Sequence, residues 1–68
     1  MPDQFKIVDG ETGNPVGHYF EWDRAVASFR SLIEKHPEDR NCLVLVGMDK
    51  SGVPIHSWLA EDLSGARA

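Results

Sequence analysis

One cysteine, three histidines and eleven carboxylates are the groups in this chain that can do chemistry beyond packing. Cys42 with His18 or His56 would make a thiol–imidazole pair for nucleophilic catalysis, provided the fold brings sulfur and ring within hydrogen-bond reach and a third group orients the base. Cys42 heads an apolar run, however, where a reduced, packed thiol is the expectation. It is the only cysteine, so no disulfide forms within the chain. The histidines lie about twenty residues apart, unlike the close ligand pairs of a tetrahedral zinc site. His36, directly before Pro37, is expected to meet the free carbonyls of a helix end. Asp9 and Glu11 would join Asp49 around a cation if their loops shared one end of a sheet, although all three are also ordinary turn formers. The glycine-bearing loop over residues 9–15 has no Lys and no Ser or Thr opening a helix, and its acids repel phosphate. The expectation is a protein that is not an enzyme and needs no metal or cofactor.

These groups must be held by a small number of elements. Phe5-Lys6-Ile7-Val8-Asp9 is rich in β-formers and places Phe5 and Ile7 on one side. The turn-forming loop follows, then Val16-Gly17-His18-Tyr19-Phe20 as a return strand, with Gly17 marking a weak point or bulge. Asp23 is the expected N-cap of a helix, with Trp22 as a staple onto its first turns. Ala25, Val26, Phe29, Leu32, Ile33 and His36 recur at three- and four-residue spacing and draw one apolar stripe. Pro37 ends the helix by excluding its predecessor from the α region. Residues 42–48 read as the strongest strand, Asp49-Lys50-Ser51-Gly52 as a tight turn, and residues 53–59 as a last strand. Pro54 cannot donate to a ladder, which assigns that strand to an edge. The pattern predicts an α+β fold of order ββαββ, one helix on a four-stranded, mostly antiparallel sheet. Residues 1–63 form the domain, and residues 64–68 are expected to fray.

The loop and strand Asp9-Gly10-Glu11-Thr12-Gly13-Asn14-Pro15-Val16-Gly17-His18-Tyr19, followed by an alanine-bearing helix, resemble a group of short bacterial proteins. Those share a D-x-E-T-G-N-x-V-G-x-Y start and a late Leu/Val-rich strand, and the likeness covers about two thirds of this chain. The resemblance implies no activity.

Charge and size then narrow the partners. Net charge is −4 and the seven basic residues are scattered, so nucleic acid lacks the clustered cations it needs. The longest apolar run is too short to cross a bilayer, and the opening Met-Pro-Asp-Gln lacks the basic and apolar regions of a signal peptide, which predicts a cytoplasmic protein. Sixty-eight residues make a marginal core, and self-association is the remaining remedy. Alternation assigns Phe5, Ile7, Val16, Phe20, Val44, Val46, Val53, Ile55 and Leu59 to the helix side. The opposite side then holds Lys6, Val8, Tyr19, Leu43, Leu45, Pro54, His56 and Trp58, more apolar than a solvated face should be. Val8, Tyr19, Leu43, Leu45, His56 and Trp58 are thus the candidate interface of a protein-interaction module, expected as a homodimer, with a different protein as the alternative partner. Two other readings carry their own signatures. An acidic regulator linked to nucleic-acid processes, antitoxin-like or phosphate-mimicking, would gather Glu21, Glu34, Glu38, Asp39, Glu61 and Asp62 on one face. A small enzyme would bring His18, His56 and Cys42 or a carboxylate into one pocket.

Overall fold

The computed structural model describes residues 2–67, with side chains described through residue 63. Four strands and two helices follow in the order β1 (Gln4–Asp9), β2 (Pro15–Tyr19), α1 (Trp22–Lys35), β3 (Leu43–Met48), β4 (Pro54–Leu59) and α2 (Ala60–Arg67), with a short 3-10 turn at Pro37–Asp39. The sheet order is β2-β1-β3-β4, and every neighbouring pair is antiparallel. The ββαββ order is therefore that of the sequence reading. It gains α2, where a frayed tail was expected; residue 68 lies outside the described residues.

Both hairpins close through chemistry written in their loops. Asp49 Oδ1 accepts the backbone N–H groups of Ser51 and Val53, each at 2.9 Å, and Gly52 completes the turn at φ 89°. In the first loop Gly13 takes φ 77° and donates its N–H to the Asp9 carbonyl at 2.7 Å. Gly10 serves a different need. Its N–H reaches the Cys42 carbonyl at 2.6 Å, and a Cβ there would stand 2.8 Å from that oxygen. Only glycine lets the loop lie this close to the start of β3.

The helix begins earlier than its best capping residue. Trp22 is already helical, and the cap is Glu21, whose side chain makes no capping bond. Its carboxylate instead accepts Arg24 Nε at 3.0 Å. Asp23, expected at the cap, sits in the first turn, where its charge still complements the helix dipole. Ala25 and Phe29 are buried, and Val26, Leu32 and Ile33 pack beside them, so the stripe faces the sheet as its spacing predicts. His36 stays exposed, with its backbone N–H on the Leu32 carbonyl and Nδ1 3.6 Å from Glu38.

The facing of three strands is the reverse of the alternation-based assignment. Phe5 and Ile7 do meet the helix, but their partners on that side are Tyr19, Leu43, Leu45 and Trp58. Leu43 and Leu45 are 5% and 0% exposed. Because strand side chains alternate with a period of two, one wrong choice turns every residue of a strand over. In β3 both alternating sets are apolar, so periodicity alone could not choose between them. The longer leucines fill the space beneath α1, and the β-branched valines Val44 and Val46 take the other side, half-exposed. Ala60 and Leu63 of α2 complete the core at the Leu43 end.

Candidate functional site

Two surfaces stand out once the strands are correctly faced. The open side of the sheet, which neither helix covers, divides into two bands. His18, Lys6, Val46 and Ser57 stand across the sheet in one row, with Gln4 beside them; Gln4 Oε1 lies 2.8 Å from His18 Nε2. Val8, Val44 and Leu59 form the next row, and Leu59 is 43% exposed. Of the six residues assigned to an interface from sequence, only Val8 is on this side. Leu43 and Leu45 lie in the core, Tyr19 folds its ring over Gly17, and His56 stacks on Trp58 at 4.4 Å on the helix side.

Both edge strands are built alike. β2 opens on Pro15 and β4 on Pro54, and each ladder shifts register just after its proline, leaving Val16 and Ile55 as exposed residues at the irregularities. Proline and a bulge on an edge are devices that obstruct the addition of another strand.

The second surface is an aromatic groove at the N-terminal end of α1, with a volume of about 240 Å³ and Pro2, Phe5, Trp22 and Trp58 as its walls. The two indoles meet edge to face at 4.7 Å and 60°, and Phe5 lies 5.5 Å from Trp22 and 6.4 Å from Trp58. Gly47 makes the space: a Cβ there would meet Pro2 at 2.8 Å and Trp58 at 3.1 Å. Sequence reasoning singled out Trp58 and His56 but missed Pro2, Phe5 and Trp22 as their neighbours. These residues are far apart in the chain, and only the β1–β3–β4 register brings them together.

The groups considered for catalysis do not converge. β2 with His18 and β4 with His56 are opposite edges of the sheet, about 14 Å apart at the usual strand spacing. Cys42 lies beyond the start of β3 with its backbone N–H on the Asp39 carbonyl. A hydrogen bond to Glu11 foremost, then desolvation and the nearby carboxylates, push its thiol pKa up, the wrong direction for a nucleophile. Asp9 and Asp49 occupy opposite ends of the sheet, since Asp9 faces Leu43 whereas Asp49 follows Met48, which faces Gln4. The shared end that a cation site would have required is thus absent, and these residues act as turn formers: Asp9 binds the Glu11 N–H and Asp49 its own turn. A trio that spacing had not suggested, His36, Glu38 and Asp39, brings three ligand atoms within 4.8 Å of one another in solvent, as a helix-end ion pair also would. Of the acidic residues, Glu21 is paired with Arg24 at one end of α1, whereas Glu34 and Glu61 line neighbouring hollows that share Arg40 and Ala60 at the other, and Asp62 receives the Leu59 N–H.

No family model, curated protein or solved structure matches this chain. Among the described residues no helix is long and apolar enough to cross a membrane.

Proposed function

We propose that this chain is a small, non-enzymatic protein-interaction module of the cytoplasm that pairs with a second copy through the open side of its sheet. The observation that carries the reading is the apolar row Val8–Val44–Leu59, with Val46 in the next row, on a surface that neither helix covers. The proline-and-bulge construction of both edges disfavours association by strand addition, which supports the face as the contact. The row crosses three strands, roughly 10 Å at the usual spacing. A contact centred on so short a row belongs with small, transient interfaces, for which pairing is reversible and concentration-dependent.

Sedimentation velocity over a concentration series, on wild type and on Val44→Glu, tests this. Wild type should shift towards twice the monomer mass as concentration rises, while the charged variant keeps its circular dichroism and stays monomeric. A wild type that remains monomeric at millimolar concentration, or a Val44→Glu variant that dimerises unchanged, refutes it.

A further inference from the structure

We propose that the groove between Trp22 and Trp58 is a recognition site for a proline-rich segment that carries Lys or Arg, bound in the polyproline II conformation. One proline ring already packs among these aromatics: Pro2 of the chain itself forms a wall, beside Trp58 and over the Cα of Gly47. Its aromatic walls stand at 44° to 60° to one another, so they present inclined planes to a ligand instead of a flat slot. Trp22 keeps 40% of its surface in solvent although it packs on two other rings. Among the described residues neither indole N–H donates to a protein acceptor.

These features match what a polyproline II segment offers. It has no internal hydrogen bonds, so its carbonyls are free to accept from indole N–H groups, and its rings pack on aromatic planes at little entropic cost. No charged side chain lines the groove, so an anion would find no counter-charge there. Exposed Asp3 and Asp23 each directly follow a wall residue in the chain, and their negative charge is not offset by the neighbouring cation, Arg24, which is paired with Glu21. That charge complements a basic residue beside the prolines and opposes an acidic one.

The site is independent of the open sheet face, and one titration tests it. Full-length protein labelled with ¹⁵N is titrated with a ten-proline peptide ending in Arg, with its Glu-ended counterpart, and with a Gly/Ser peptide of equal length. The expected result is a saturable shift of both indole N–H signals with the Arg-ended peptide, several-fold tighter at low salt than with the Glu-ended one and absent with Gly/Ser. Trp22→Ala, at a partly exposed position, should weaken binding about tenfold, and Pro2→Gly should weaken it less, by removing one wall. Indole signals that stay put at millimolar peptide, or that respond equally to Gly/Ser, overturn the proposal without needing any variant. Indole signals that move on dilution of the protein alone would assign the groove to a second copy and overturn it as well.

Discussion

The covered and open sides of the sheet are made from alternate residues of the same strands, yet only one of them is a core. On the covered side Ile7 and Leu45 face each other across β1 and β3 at 0% exposure beneath Phe29. One residue along, Val8 and Val44 face each other on the open side, apolar but half-exposed. The difference teaches that hydrophobic character does not by itself make a core; a covering element does. In this molecule α1 and α2 cover one side, and the residues long enough to reach them are the leucines.

The largest expected effect removes the covering contact. Phe29→Ala should cost about 3–5 kcal/mol, comparable to the whole stability of a domain this small. Thermal melts by circular dichroism should show a largely unfolded or strongly heat-labile variant, and a melting temperature close to wild type would mean that the helix stripe is not the core. The comparison is sharpened within β3 itself. Leu45→Ala should cost about 2–5 kcal/mol in urea denaturation. Val46→Ala, half-exposed one residue away, should cost about 1 kcal/mol or less, since less apolar surface is lost. Equal costs would contradict the facing described above.

The smallest effect lies at the loop beside the covered end. Cys42 holds its proton to higher pH in the folded chain than in the unfolded one, because Glu11 hydrogen-bonds the thiol and neighbouring carboxylates oppose a thiolate. Its contribution to stability is therefore intact below the ordinary thiol range, about 8.5, and is lost as pH rises through the folded value. Alkylation by a neutral reagent near pH 8 should be slower for wild type than for Glu11→Gln at matched stability. Equal rates would show that the carboxylate does not govern the thiol.

Much of the architecture was legible in the residues. The stripe from Ala25 to Ile33, the stop at Pro37, and the turn residues Asp49 and Gly52 each act through local chemistry, and each stands where its type predicts. The facing of β3 was not legible by period alone, because Leu43-Val44-Leu45-Val46 is apolar in both phases. Two weaker signals were present: Ser57 interrupts the set Ile55–Leu59 that was assigned inward, and Gly47 shares the phase of the leucines, where an indole needs room. The helix start shifted because Trp22 packs on Phe5 and Trp58, a tertiary contact that outweighs the preference of Asp23 for the cap. The open apolar face was foreseen as a feature but assigned the wrong residues. The aromatic groove was hidden, since its walls come from three separate stretches of chain.

The pairing of β1 with β3 also governs how quickly the chain can find this fold. Each hairpin closes over a short loop and the helix forms locally, but the central ladder must join Gln4 to Met48 with β2 and α1 lying between them in sequence. The entropy of closing that long loop has to be met before most of the packing beneath α1 is gained. Early local structure is thus cheap and reversible here. The encounter of the first strand with the third commits the chain, and the same event creates the Phe5–Gly47 crossing on which the aromatic groove depends.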